Sequence, residues 1–288
     1  MFKRVLVPLD GSPLAEQALG YARHLGRVLG VPVGLLSCLS SSKPLHDDVR
    51  QLAESYLQGV GETLRAAGRE VSTQLAAGDA AAAISEAADR QPGTLLIMST
   101  HGRSGAMRWA VGTVTDRVLR SARCAMLIAR PTDGSRASEP AVATLVVPLD
   151  GSDLAERALP VAVQLAQAAG LGVHLLRAVP RDTDAHLQYP GFAGAWRDEA
   201  ECAEADCHEY LQRVADRLRK EGVTPVTCAV SHGEPAEVIV DAARDAPDEL
   251  FVMNSLGRSG IGCWVLGSVA ERVARHSPSP VLLLREAG

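Results

Sequence analysis

Aromatic side chains make up only 3% of the 288 residues, too few for a surface built to stack bases or sugars. Positive charge is not in excess either: 29 Lys and Arg stand against 34 Asp and Glu, a net charge of −5. The chain therefore gains no counterion-release advantage on DNA or RNA, and nucleic acid is excluded as a main partner. No apolar run reaches the roughly 18 residues of a membrane span, and the opening MFKRVLVPLD has too few apolar residues for a signal-peptide core. These absences predict a cytoplasmic protein that does not engage a membrane. Cysteine is scarce as well, with six in the chain, at 38, 124, 202, 207, 228 and 263; they read as reduced, buried thiols with no disulfide framework. Two catalytic signatures are missing. There is no Gly-x4-Gly-Lys-(Ser/Thr) loop with a second acidic residue for Mg²⁺, and no Gly-x-Ser-x-Gly nucleophile elbow. Efficient nucleotide hydrolysis and serine-hydrolase chemistry are not expected.

What is present is a repeat. VLVPLDGSPLAEQALGYARHLGRVLGVPVGLL (Val5 to Leu36) aligns with LVVPLDGSDLAERALPVAVQLAQAAGLGVHLL (Leu145 to Leu176), so that Asp10 matches Asp150. Further on, Gly102 matches Gly257 and Gly112 matches Gly267. The offset grows from 140 (150 − 10) to 155 (257 − 102), so the second copy carries 15 extra residues. They fall in Pro180 to Ala200, read as a tolerated loop. The polar stretch between the copies predicts two domains, 1–130 and 143–288, joined by a linker over 131–142.

Each copy alternates strand and helix. In the first, strand RVLVPL is followed by Ser12 as N-cap and Pro13 at the first helical position. Leu14, Ala18, Tyr21, Ala22, Leu25 and Leu29 recur at helical spacing, and Gly30 closes the helix. Strand VPVGLLSC, helix Asp47 to Ala67, strand EVSTQLAA, helix Asp79 to Asp89, strand TLLIMS, helix Thr113 to Ala122 and strand AMLIA complete the unit. The fold class is α/β: two doubly wound, five-stranded parallel sheets in tandem, helices covering both faces. The ligand crevice of such a unit lies at the carboxyl ends of the strands, where the winding reverses. Strand 1 beside strand 4 puts Asp10 opposite the segment that follows strand 4.

That segment is STHGRSGAMRWAVGT (Ser99 to Thr113), repeated as NSLGRSGIGCWVLGS (Asn254 to Ser268). Glycines permit positive φ and close backbone approach to a ligand. Gly112-Thr113 and Gly267-Ser268 each open a helix, where unpaired N–H groups and the positive dipole end favour phosphate. The competing reading is plain capping, since Ser268-Val-Ala-Glu271 is a capping box and Thr113-Val-Thr-Asp116 nearly one.

In combination and in order, VLVPLDGS, STHGRSG, AVGTVTDRVL and SARCAMLIAR, each with a counterpart in the second copy, resemble universal stress protein domains. The resemblance covers nearly the whole chain, in tandem. It implies binding of ATP, ADP or AMP, with Mg²⁺ as an optional companion. Asp10 and Asp150 are implied at the nucleoside end, and Cys38 and Ala178 at the base through their backbone. The ends of the fourth strands, Met98-Ser99 and Met253-Asn254, belong to the implied site. His101, Gly102 and Arg103, with Gly112, Thr113, Val114 and Thr115, line the phosphates. Their counterparts are Leu256, Gly257 and Arg258, with Gly267, Ser268, Val269 and Ala270. The chain departs from the family pattern where Ser99 and Asn254 replace its first glycine and Leu256 replaces His101, which favours the first copy as the occupied one.

The expectation is a stress-response sensor or regulator that binds an adenine nucleotide without efficient turnover. The alternatives are a nucleotide-free interaction protein with degenerate sites and a weak ATPase or autophosphorylating enzyme. Cys202 and Cys207, five residues apart on a helix, point about 140° apart, so with His208 they make no metal site. Trp109 and Trp264 share a position and read as packing residues. The apolar last strands, AMLIA and VLLLR, need cover; the family resemblance implies that they pair across a dimer, here between the two copies as an intramolecular pseudo-dimer, with a homodimer as a further option.

Overall fold

The computed structural model describes residues 2–39, 47–100, 112–130, 140–179, 193–244, 248–255 and 266–285, without the side chains of 193–203. The first copy runs β1 (Arg4–Pro8), α1 (Pro13–Glu16), α2 (Ala18–Leu29), β2 (Val33–Leu39), α3 (Asp47–Ala66), β3 (Val71–Ala77), α4 (Ala80–Asp89), β4 (Thr94–Ser99), α5 (Thr113–Ser121) and β5 (Ala125–Ala129). The second runs β6 (Thr144–Pro148), α6 (Asp153–Glu156), α7 (Leu159–Ala169), β7 (Gly172–Val179), α8 (Ala193–Lys220), β8 (Val226–His232), α9 (Pro235–Arg244), β9 (Glu249–Asn254), α10 (Ser268–His276) and β10 (Val281–Leu284).

The helix expected from Pro13 to Gly30 is split at Gln17, whose N–H bonds to the carbonyl of Leu14, three residues back, at 3.3 Å. Its ends are as the sequence implies: the Ser12 hydroxyl accepts from the Ala15 N–H at 3.1 Å, and Gly30 closes α2 in the left-handed region at φ 65°. The segment with the extra residues is partly helical, because α8 begins at Ala193. Residues 180–192, like the linker positions 131–139, lie outside the described residues.

The described strands form one sheet, ordered β3-β2-β1-β4-β5-β10-β9-β6-β7-β8. Within each copy all neighbours are parallel, and β1 lies between β2 (Val5↔Val33) and β4 (Val5↔Leu95). The winding thus reverses at β1, as it does at β6 in the second copy. The two five-stranded sheets join into one because their last strands pair: β5 and β10 run antiparallel, with Leu127 opposite Leu282. Neither last strand is an edge. The edges are β3 and β8, and Ser72, Thr73 and Gln74 of β3 are exposed.

Strand alternation sorts the core into two layers. Val5, Val7, Leu95 and Ile97 face α2, where Tyr21, Ala22 and Leu25 meet them; Leu6, Leu96, Met98 and Ile128 face α4 and α5, where Ile84, Val118 and Leu119 close over them. Both layers run unbroken into the second copy. Burying each such Leu, Ile or Val contributes roughly 1.5–3 kcal/mol, so the seam between copies is as well cemented as either copy's interior. The thiols differ from expectation: Cys38, Cys124, Cys207 and Cys228 are all free, but only Cys207 is fully buried.

Candidate functional site

Where β1 and β4 end side by side, a cleft of about 320 Å³ opens, within the usual range for small-molecule sites. Of the described residues singled out in the first copy, all eight line it: Asp10, Cys38, Met98, Ser99, Gly112, Thr113, Val114 and Thr115. Pattern reading missed Pro8, Leu9, Ala15, Leu36, Ala80 and Ile84, which also line it. Pro8 and Leu9 stand in VLVPLDGS just ahead of Asp10, while the other four are ordinary core types outside any motif; only the small side chains of AAAAI (Ala80 to Ile84) hint that α4 leaves room. His101, Gly102 and Arg103, and in the second copy Leu256, Gly257 and Arg258, lie outside the described residues, as do Trp109 and Trp264.

One end of the cleft is acidic. Gly11 takes φ 78° after β1, and the turn brings the Ser12 N–H to Asp10 Oδ1 at 2.9 Å. That bond sets the direction of an otherwise exposed carboxylate. The middle is apolar, between Leu36, Ile84 and Met98. Cys38 borders it, its thiol pushed above the usual range by burial first and by the negative charge of Asp79 second.

The other end is the start of α5. The competing reading, a hydroxyl cap, does not hold here: the N-cap is Gly112, the helix begins at Thr113, and no side chain caps it. The same holds for Gly267 and Ser268 at α10. With φ of −64° and −62°, neither glycine is there for positive φ; what it leaves out is a capping side chain. The Gly112 N–H is taken by the Thr100 carbonyl and the Asp116 N–H by the Gly112 carbonyl. The intervening N–H groups of Thr113, Val114 and Thr115 are those a helix start cannot satisfy internally, and they face the cleft with the positive end of the dipole behind them. The Thr115 hydroxyl is not a phosphate ligand: it donates to the Ser99 carbonyl at 3.0 Å, locking α5 onto β4. Arg117 holds α5 from the side through a two-pronged contact with Asp79 at 2.7 and 2.9 Å, and it keeps that carboxyl below the usual carboxylate range.

The second copy repeats the frame but not the lining. Asp150 Oδ1 accepts from both the N–H and the hydroxyl of Ser152, at 3.0 and 2.6 Å. Asn254, in the place of Ser99, sends its amide across to the Leu154 carbonyl at 3.1 Å, bridging the end of β9 to α6. Arg177, in the place of Ser37, lies so close to Gly151 that a Cβ there would meet its Nη1 at 2.6 Å; its guanidinium also stands over the Tyr210 ring. Ala270 replaces Thr115 and Ala178 replaces Cys38; Met253, like Met98, is nearly fully buried. A tie unforeseen from the sequence recurs in both copies: Tyr56 donates to Glu16 at 3.0 Å and Tyr210 to Glu156 at 2.9 Å, fastening the long helix to the short one after β1. The matched glutamates of LAEQAL and LAERAL were the available signal. Among the described residues no group of three His, Cys, Asp or Glu is placed to hold a metal ion, and no helix is long and apolar enough to cross a membrane.

The universal stress protein family model matches this chain twice, over residues 1–130 and 141–285. A universal stress protein of Mycobacterium tuberculosis is 28% identical over 301 aligned positions, covering 98% of this chain and 96% of the relative. One from Thermus aquaticus is 35% identical over 145 positions, covering 49% of this chain and 98% of the relative, so one repeat here corresponds to nearly all of that protein. A solved universal stress protein from Archaeoglobus fulgidus shares the fold with a TM-score of 0.72 at 23% identity, over 98% of each chain.

Proposed function

The chain belongs to the universal stress protein family, in tandem form, and on that premise we propose that it is a cytoplasmic regulator whose first copy binds an adenine nucleotide. The observation that carries this reading is the pairing, in one cleft, of a held carboxylate at Asp10 with the uncapped start of α5 at Gly112. The residues fit the ligand in three parts. Asp10 accepts hydrogen bonds from ribose hydroxyls. The apolar floor of Leu36, Ile84 and Met98 takes the base, and the backbone N–H groups of Thr113 to Thr115 donate to phosphate oxygens.

Holding is all that these groups supply. No lysine stands in the glycine segment to stabilise charge on a transferring phosphoryl group. Turnover is accordingly slow, and the bound state itself is the signal. The second copy is the weaker site, because Asn254 spans from β9 to α6 and Arg177 stands beside Gly151.

The test is release and rebinding. Protein purified without added nucleotide is heat-denatured and the supernatant chromatographed at 260 nm, and stripped protein is titrated with ATP, ADP and AMP by calorimetry. Stoichiometric adenine nucleotide, or binding at one site per chain, supports the reading. No release and no binding sinks it and leaves the interaction-protein alternative. Rapid ADP production abolished by Asp10→Ala replaces it with an enzyme.

A further inference from the structure

The helices that start at the two cradles, α5 and α10, meet at the seam between the copies. Each carries an acid in its first turn and an arginine four residues later: Asp116 and Arg120 on α5, Glu271 and Arg275 on α10. These four side chains close a ring of alternating charge. Across the seam, Arg275 Nη2 lies 2.5 Å from Asp116 Oδ1 and Arg120 Nη2 lies 2.5 Å from Glu271 Oε1. Along each helix the contacts are longer, 3.5 Å from Arg120 to Asp116 and 3.2 Å from Arg275 to Glu271. Asp116 and Arg275 are only 27% and 31% exposed, so salt screens them less than it would a surface pair.

Asp116 occupies an awkward place. It follows Thr115 directly, and its own N–H is bonded to the Gly112 carbonyl at 2.8 Å, which puts it within one helical turn of the cradle. A carboxylate in the first turn is favoured by the helix dipole, but its charge repels any phosphate drawn to the N–H groups just ahead of it. Its closest cation comes from the other copy. We infer that Arg275 of the second copy is a positioning residue for the phosphate cradle of the first: by neutralising Asp116 across the seam, it leaves the start of α5 free to hold a second negative group. The tandem arrangement then serves the site directly, since one copy alone lacks this cation. This inference rests on the adenine-nucleotide reading above.

The test is calorimetric titration of the full chain with ATP, AMP and adenosine. Arg275→Gln weakens ATP binding about five-fold, the order expected for one uncompensated charge near the phosphates at an effective dielectric between those of protein and water. AMP loses less and adenosine nothing, a gradation that a merely structural lesion does not produce. Arg275→Lys keeps the wild-type affinity, and the double variant Arg275→Gln/Asp116→Asn returns to within about two-fold of wild type. If the single variant does not fold, the double variant, which has no uncompensated charge at the pair, carries the same test. Unchanged ATP binding in Arg275→Gln, an equal loss for adenosine, or ATP binding lost in the double variant while adenosine binding persists overturns the inference and leaves the nucleotide reading standing. A wild-type chain that binds none of the three overturns both.

Discussion

Thr115 gives its hydroxyl to the main-chain carbonyl of Ser99 at 3.0 Å, and this bond, beside that of the Gly112 N–H to the Thr100 carbonyl, joins the strand end on one side of the cleft to the helix start on the other. Thr115→Val keeps the shape and removes the donor, leaving a partly buried carbonyl without that partner. The expected cost is about 1–3 kcal/mol of stability, read as a lowered urea midpoint. ATP affinity falls with it, because the cradle is no longer fixed to β4. An unchanged midpoint would show that the bond does not hold the helix in place. The second copy has already dispensed with it, having Ala270 there.

Gly112 sets stability against binding. Gly112→Asp provides the missing side-chain cap, stabilising α5 by a few tenths of a kcal/mol up to about 1 kcal/mol. The same carboxylate occupies the N–H groups offered to phosphate. Melting temperature is expected to rise slightly while ATP affinity drops by about ten-fold or more. Gly267→Asp is expected to stabilise to the same degree with little effect on ATP binding, since the first copy is the one proposed to bind. Equal losses in both variants would show that both copies bind.

Occupancy of one copy rests on Ser99 against Asn254. Ser99→Asn introduces the amide that in the second copy reaches the Leu154 carbonyl, and it is expected to abolish the single calorimetric site. Asn254→Ser removes that bridge. A second site appearing in Asn254→Ser supports the bridge as the obstruction; a wild-type stoichiometry of two shows that it obstructs nothing.

Alkaline pH reaches the core through two acids. Burial raises Tyr21 from 10.0 to about 12 and Cys124 from 9.0 to about 11. In the unfolded chain each ionises at its ordinary value, so between the two values the unfolded state binds fewer protons and stability falls as pH rises. The contribution of Cys124 is whole below pH 9 and lost by about pH 11; that of Tyr21 goes between pH 10 and 12. Each is worth on the order of 2–3 kcal/mol across its window. Urea midpoints measured from pH 8 to 11 should decline, and Cys124→Ala should flatten the part that begins at pH 9. An unaltered slope in that variant counts against the buried thiol as its source.

Much of this molecule is legible in one dimension because its signals are local. Ser12 and Pro13 announce a helix start within three residues. Gly30 announces its end. TLLIMS (Thr94 to Ser99) matches its strand residue for residue, as a short apolar run followed by a polar turn must. The cleft was legible too, since Asp10 and Gly112 stand beside strand ends that the winding rule brings together. The start of α5 at Thr113 is legible, but whether a hydroxyl caps it is not: only the backbone shows Gly112 extended at ψ 153° as the N-cap, with no side-chain cap. The other lining residues were hidden because Leu36, Ile84 and Ala15 look like any core residue until the sheet defines which of them borders a gap.

From sequence alone came the repeat, the α/β alternation and the family, since all three are written in spacings of a few residues that recur at an offset of 140 to 155 (150 − 10 and 257 − 102). The tertiary structure alone decided the register at which β5 and β10 pair, with Leu127 opposite Leu282, and that Arg275 meets Asp116. The reason is physical. A strand or helix is specified by neighbours along the chain, whereas the register of two apolar strands from separate copies depends on contacts that no period in the sequence records.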